Sequence, residues 1–419
     1  MRASNDRGGA ATLFPSFFMG GFECSTHRRH DGKRLDLVAS TRHDALATED
    51  FTALAAHGML GARDGVRWHL VETSRGVYDW SSVLPQMRAA RAAGVRVAWD
   101  MAHYGYPDFI DPWSEDFVES LARYTAAFVR LALEEEGRPP IICPVNEISF
   151  WSWAGAEVGH FNPLARGRGG ELKQQLIRAA LRAARAAREA VPGTTILAVD
   201  PLIRVVPLRP EDAGHAEGYT ASQWQGWDGL LGRFWPELGG AEDGFDVMGL
   251  NYYWNNQWEY QGEKIQAGDP RYRPFRELLV DAWNRYRKPL FLAETSIEGP
   301  PRAPWLRYVC AEVRAAMQAG VPVGGICLYP VLSHLGWDND RYCPNGLFEL
   351  EATGGHRPCH GPLALELRRQ RTLFEAQLRG VAVPEDPDAL PLLAVSLNEL
   401  EEERKARDAG QRASQARSA

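Results

Sequence analysis

A chain of 419 residues carrying a net charge of −7 and no basic tract lacks the clustered Lys and Arg that nucleic-acid phosphates demand. Its hydrophobic fraction of 45% and charged fraction of 24% are those of a globular protein with a large core, and no apolar run reaches the ~18 residues of a membrane span. The six cysteines, Cys24, Cys143, Cys310, Cys327, Cys343 and Cys359, show no CxxC spacing, which argues against structural zinc. Residues 1–12 are polar and rich in Gly and Ala without an apolar leader, so disorder there and a cytoplasmic location with reduced thiols are the expectations.

In chain order, residues 14–23 read as a first strand running into a turn, and 28–40 as a polar loop. A helix over 48–57 stops at Gly58, and a second strand is expected over 65–72. A helix rich in Ala and Arg (82–93, closed by Gly94) leads to a third strand, 95–100, and the turn His103-Tyr104-Gly105-Tyr106-Pro107. A long helix over 114–136 precedes the fourth strand, Ile141-Ile142-Cys143-Pro144-Val145-Asn146-Glu147. Helix 170–190 and strand 194–200 follow, then a helix near 224–235 and a sixth strand over 245–253. Helix 275–285, strand 289–295, helix 305–319 and strand 323–330 complete the pattern. Strands alternating with helices predict βαβ units, and eight of them close into a (β/α)8 TIM barrel spanning 13–380. An open doubly wound sheet is the rival, but no GxGxxG follows the first strand. Beyond about Val381 the chain turns proline-rich, charged and Ala-rich. Residues 381–419 are therefore expected to form a helix or disordered tail outside the barrel, dispensable to a chain ending near Arg379.

Functional side chains of such a barrel gather where its strands end. The residues at or near those ends are Glu23, Arg67, His103, Asn146 with Glu147, Asp200, Tyr253, Glu294 and, after the eighth strand, Trp337. Two carboxylic acids closing two strands, Glu147 and Glu294, are what cleavage of a glycosidic bond requires: one protonated to assist the leaving group, one ionised to attack the anomeric carbon. Glu147 has no adjacent cation in its motif, so its pKa is expected to be raised. Trp337 is expected to offer a flat face to a sugar ring. Asp200-Pro201 reads as a turn device and His103, taken alone, as a satisfied core histidine. Only His103 stands among the strand-end residues as a ready ligand, so a metal-dependent hydrolase is disfavoured and no cofactor is expected.

These segments resemble glycoside hydrolase clan A, and most closely its family 1, the β-glucosidases. There an Asn-Glu pair ending the fourth strand supplies the acid/base and a Glu ending the seventh is the nucleophile, positions matched here by Asn146, Glu147 and Glu294. Val66-Arg67-Trp68 is similar to the segment whose Arg contacts the nucleophile. His103 to Pro107 resembles the sugar-binding turn, and Gly249-Leu250-Asn251-Tyr252-Tyr253 the segment whose second Tyr bonds the nucleophile. The resemblance implies a retaining β-glycosidase acting on a small-molecule glycoside or oligosaccharide, with Asn146 on the sugar 2-hydroxyl and Arg67 and Tyr253 holding Glu294 ionised. The chain departs from the family where sugars are read. Glu23 stands near the position of a Gln, and Gly336-Trp337-Asp338 does not reproduce a Glu-Trp pair, so a distant branch with a different glycon is implied. A transglycosidase using the same two Glu, and a non-catalytic carbohydrate-binding barrel, are the alternative readings.

Overall fold

In the computed structural model, residues 13–337, 339–350 and 356–402 are described. Eight parallel strands close on themselves in chain order: β1 (Phe18–Gly21), β2 (Gly61–Gly65), β3 (Arg96–Asp100), β4 (Ile141–Cys143), β5 (Thr195–Pro201), β6 (Val247–Asn251), β7 (Leu290–Thr295) and β8 (Val323–Leu328), with β8 pairing back onto β1. Around them lie α1 (Ala47–Ala56), α2 (Leu84–Ala92), α3 (Glu115–Glu136), α4 (Gly169–Ala190), α5 (Gln225–Leu230), α6 (Phe275–Tyr286), α7 (Arg302–Gln318) and α8 (Gly361–Leu378). The fold is the expected (β/α)8 barrel. Helix α3 shows why the layers cohere: Phe117, Leu121, Tyr124, Phe128 and Ala132 recur at helical spacing, all are buried, and Gly137 ends the helix at φ 72°.

Two buried apolar layers result. Met19, Ala98, Ile141, Cys143, Leu197, Val199, Phe291, Ala293 and Cys327 fill the barrel interior, while the residues between them on each strand face the helices.

The second strand lies four residues earlier than its expected start. Gly61-Ala62-Arg63-Asp64-Gly65 carries no β-branched residue, so propensity is silent there. Its glycines are required by close approach: a Cβ on Gly61 would sit 2.9 Å from Met19 and Phe14 side-chain atoms, and one on Gly65 2.5 Å from Cys24. The residues expected as its continuation instead form a short helix, Trp68–Val71.

The C-terminal segment takes one of its two expected forms, a helix, but packs against the barrel where detachment was expected. Residues 389–402 are helical, and Val383, Ala389, Leu393 and Leu397 are buried. Arg307 of α7 holds Asp386 by two hydrogen bonds of 2.8 and 2.7 Å, and Gln318 Nε2 donates to Val383 O. This stretch therefore covers apolar barrel surface. Residues 1–12, expected to be disordered, and 403–419, expected as helix or disordered tail, lie outside the described residues. No helix among the described residues is long and apolar enough to cross a membrane.

Candidate active site

The strands end on charged and amide side chains that interlock around one arginine. Arg63, on β2, is fully buried with its side chain among the inward-facing residues, whereas Asp64 faces outward to His43 and Gln86. Arg63 Nη1 donates to Glu294 Oε1 at 2.9 Å and to Ala293 O at 3.0 Å. Its Nη2 donates to Asp100 Oδ2 at 2.7 Å and to Asn146 Oδ1 at 2.9 Å. Burial opposes this charge, but Asp100 and Glu294 beside it hold the guanidinium ionised.

Glu294 owes its inward position to a break in β7. Leu290 and Leu292 face the helices, and Phe291 and Ala293 the interior, so strict alternation would send Glu294 outward. A register shift between Leu292 and Glu294 reverses the phase, and Thr295 then points outward to accept from Trp305 Nε1. Tyr253 completes the carboxylate's partners, its hydroxyl donating to Glu294 Oε2 at 2.8 Å.

Glu147 is held differently. Its backbone adopts φ 49°, an uncommon conformation for a residue with a Cβ. The turn is pinned on both sides, by Glu147 N donating to Val199 O and by the helix Ile148–Ser152 that starts after it. Asp200 secures that helix, accepting from Ser149 N at 3.0 Å and Ser149 Oγ at 2.7 Å. The Glu147 carboxyl meets only neutral donors: Asn251 Nδ2 at 2.7 Å on Oε1, and the Tyr104 hydroxyl on Oε2. Asn146 joins the two halves, since its amide reaches Arg63 at one end and Tyr104 OH (3.2 Å) and His103 Nε2 (3.1 Å) at the other.

The unequal partners divide the two acids. Burial raises both, and a neighbouring carboxylate raises each further, Glu294 at Glu147 and Glu23 at Glu294. At Glu147, burial and the Glu294 charge push the pKa up to about 8. The Glu294 pKa is also raised on balance, by burial and the Glu23 charge, but there the Arg63 and His103 charges oppose the rise, so the proton that the pair retains favours Glu147. His103 is itself pulled both ways: burial lowers its pKa, while the hydrogen bond to Asp100 and the charge of Glu23 raise it.

Of the residues expected at the site, Glu147, Glu294, Asn146, His103 and Tyr253 fall into this one network, and Glu23 joins its edge with Oε1 3.9 Å from His103 Nε2. Arg67 does not. It stands just before the helix Trp68–Val71 and pairs with Asp36 and Asp44 at 3.1 Å each, because the second strand ends before it and Arg63 occupies the position expected of it. Trp337 lies at the border and has more ring partners than expected. His27, Tyr104, Phe150 and Phe161 have centroids 4.7, 5.1, 5.5 and 5.6 Å from it.

Four side chains of this network escaped the sequence reading. Tyr104 and Asn251 sat inside quoted motifs, Asp100 closed an apolar strand with a charge, and Arg63 was hidden in a segment without strand propensity. Cys24 Sγ, Asp100 Oδ2 and His103 Nδ1 lie within 4.8 Å of one another, a spacing compatible with a metal ion. The chemistry is less compatible. Burial and the nearby Asp100 charge drive the Cys24 thiol well above its ordinary pKa, and Arg63 already occupies Asp100 Oδ2.

Beside the Glu147 helix a cavity of about 620 Å³ opens over the ends of β4 to β6, walled by Phe150, Trp153, Tyr219 and Trp258 with Asn256 and Lys173 among its polar groups.

Neither a protein-family model nor a curated protein sequence matches the chain. Solved structures do. A family 1 β-glucosidase from Thermotoga maritima superposes with a TM-score of 0.68 at 14% identity, over 85% of this chain and 98% of that one. The Thermotoga maritima β-glucosidase in complex with castanospermine gives 0.69 at 15%, over 86% and 99%, and its complex with deoxynojirimycin 0.68 at 13%, over 85% and 98%. The chain thus has the barrel fold of these β-glucosidases along nearly their whole length.

Proposed function

We propose that the protein is a retaining β-glycosidase that hydrolyses O-glycosidic bonds through Glu147 and Glu294. The observation that carries this reading is the asymmetry of the two buried acids: Glu294 is bonded to a cation and a phenol, Glu147 only to neutral donors. One carboxylate ready to attack and one carboxylic acid ready to give a proton are the pair that a double displacement uses. The fold shared with β-glucosidases, some solved with sugar-mimic inhibitors, supports the same reading.

In the first step a Glu294 oxygen forms a bond to the anomeric carbon as the glycosidic C–O bond breaks, and Glu147 gives its proton to the departing oxygen. In the second, water adds to the same carbon, Glu147 takes a proton from it, and Glu294 leaves as a carboxylate. Arg63 and Tyr253 keep Glu294 ionised and oriented, and Asn146 reaches the sugar 2-hydroxyl by exchanging its Nδ2 contact with Tyr104 for one with the substrate. The cavity lined by Ser149 and Phe150 of the helix after Glu147 is the space this reading gives to the leaving group.

Incubation with a 2-deoxy-2-fluoro glycoside matched to the true glycon tests this. One sugar mass should appear on the protein, within Ala293-Glu294-Thr295 after peptide mapping. A reproducible label elsewhere, or release of product with inverted anomeric configuration, overturns the assignment.

A further inference from the structure

Glu147 changes charge during the double displacement, from neutral before the departing oxygen takes its proton to ionised after it. Among the described residues no Lys or Arg hydrogen-bonds this carboxyl, so neutral donors alone meet the charge it develops: Asn251 Nδ2 on Oε1 at 2.7 Å and the Tyr104 hydroxyl on Oε2. The direction of the Tyr104 bond is fixed from the far side of the barrel mouth. A guanidinium only donates, so Asn146 turns its oxygen to Arg63 Nη2 at 2.9 Å. That leaves the Asn146 nitrogen facing His103 Nε2 and Tyr104 OH, at 3.1 and 3.2 Å. The phenol therefore accepts from Asn146, and its one proton is aimed at Glu147. Arg63, Asn146, Tyr104 and Glu147 form a chain in which every donor points toward the acid, and successive bonds polarise one another.

The phenol itself is held on all sides. Tyr104 is buried with its backbone at φ 64°, and Asn162 Nδ2 donates to its carbonyl at 2.9 Å. Trp151, Phe161 and Trp337 surround the ring with centroids 5.8, 5.3 and 5.1 Å away. A buried phenol needs only some acceptor, and Tyr124 finds one in Val66 O at 3.3 Å. Tyr104 is instead paired with an ionisable group.

We propose that Tyr104 is a positioning residue for the acid: its hydroxyl stabilises the carboxylate that forms on Glu147 as the proton leaves, and so sets how readily Glu147 protonates a departing oxygen. This rests on the glycosidase reading and deepens it. In the first step the O–H bond of Glu147 breaks as the O–H bond of the leaving group forms, and the electron pair left on Glu147 is met by the Tyr104 hydroxyl. The phenol keeps its own proton, because burial and the Glu147 and Glu294 charges drive its pKa well above the ordinary value. In the second step a proton of the attacking water passes to Glu147. A hydrogen bond to a charged acceptor is about twice as strong as one to a neutral acceptor, so the Tyr104 bond strengthens as charge develops and lowers the barrier to proton transfer. When the sugar takes the Asn146 amide, Glu147 is the hydrogen-bond partner that remains to the phenol among the described residues.

The groups that act on the Glu147 pKa face it from several strands. Burial, Glu294 in β7 and Asp200 in β5 push it up, while the hydrogen bonds from Tyr104 and Asn251 pull it down. Tyr253, beyond β6, gives its hydroxyl to Glu294. Removing the Tyr104 hydroxyl therefore leaves burial and the two like charges less opposed, and the Glu147 pKa rises.

Tyr104→Phe keeps the ring and removes the donor. Its kcat/KM on alkyl glycosides, which are poor leaving groups, should fall about tenfold, and on activated aryl glycosides by less than about twofold. The alkaline limb of kcat/KM should move upward from about 8 by about one pH unit. Replacing Tyr104 by 3-fluorotyrosine, a more acidic phenol and a stronger donor, should move the limb in the opposite direction. A packing role predicts neither displacement. A uniform loss across leaving groups, or a limb unmoved in both variants, overturns the proposal. A second arm needs no turnover: infrared difference spectra across a pH titration, in which the carboxyl band missing from Glu147→Gln reports Glu147. Asp200, pushed up to about 7 by burial, is removed from the same window by an Asp200→Asn background. The Glu147 band should titrate at higher pH in Tyr104→Phe than in the wild type. If it does while every glycoside is refused, the glycosidase reading falls and the control of the acid by Tyr104 stands. An unchanged titration in Tyr104→Phe overturns the proposal whatever the kinetics.

Discussion

Arg63 Nη1 lies 2.9 Å from Glu294 Oε1, joining the end of β2 to the end of β7 across the barrel mouth, while Arg67, four residues on, is tied to Asp36 and Asp44 instead. The consequence is measurable. Arg63→Met leaves Asp100 and Glu294 buried without their cation and should cost about 3 to 5 kcal/mol in chemical denaturation, with near-complete loss of turnover. Arg67→Ala, which removes contacts to Asp36, Asp44 and Ser82 O that do not reach Glu294, should change kcat/KM by less than about threefold. Equal catalytic losses in the two variants would show that the wrong arginine has been placed beside Glu294.

Glu147→Ala should slow glycosides with poor leaving groups far more than activated aryl glycosides, because only the former need its proton. The pH dependence has a definite sign. Folding raises the Glu147 pKa from the ordinary 4.5 to about 8, so activity should fall as pH rises through about 8, where the acid loses its proton. Stability gained from the protonated form is present below 4.5 and is lost as pH climbs toward 8. Glu147→Gln cannot ionise, so its melting temperature should lack that decline. A wild-type alkaline limb that persists in Glu147→Gln assigns it to another group.

Asp200 acts on Glu147 through the helix that follows it. Asp200→Ala removes the acceptor of Ser149 N and Oγ, so the turn at Glu147 loses its support. Loss of kcat should be on the order of 10- to 100-fold for poor leaving groups and smaller for activated ones, the same selectivity as Glu147→Ala in weaker form. A uniform loss across leaving groups would make Asp200 a stabilising residue only.

Trp337→Ala should raise KM by roughly fivefold if its ring stacks on sugar, and also destabilise the fold by about 2 kcal/mol, since four aromatic neighbours lose a partner. Unchanged KM with lowered stability would assign the ring to packing alone.

A chain ending at Arg379 should lose on the order of 5 kcal/mol, read as a drop in denaturation midpoint or as insoluble protein, because Leu393 and Leu397 no longer cover the barrel. A chain ending at Glu402 should retain wild-type stability. Equal stability of both chains would return the segment to the status of a tail.

What the amino-acid order determined by itself was periodic or chemically marked. Apolar runs closed by Asn146-Glu147 and by Glu294, separated by helical patterns such as that of α3, specify an eightfold alternation, and the barrel follows because each strand must bury two faces. What only the tertiary structure decided depends on contacts between distant segments. The strand holding Arg63 is made of residues with little strand propensity and exists because Gly61 and Gly65 let neighbouring side chains approach. The phase of Glu294 turns on a register shift that no periodicity encodes. The resemblance of Val66-Arg67-Trp68 to a family segment misled because a residue's side of the barrel is set by where pairing stops, and the C-terminal helix docks through a few scattered leucines, Leu393 and Leu397. Local pattern reaches as far as the elements and the acids at their ends; which cation meets which carboxylate is decided when the barrel closes.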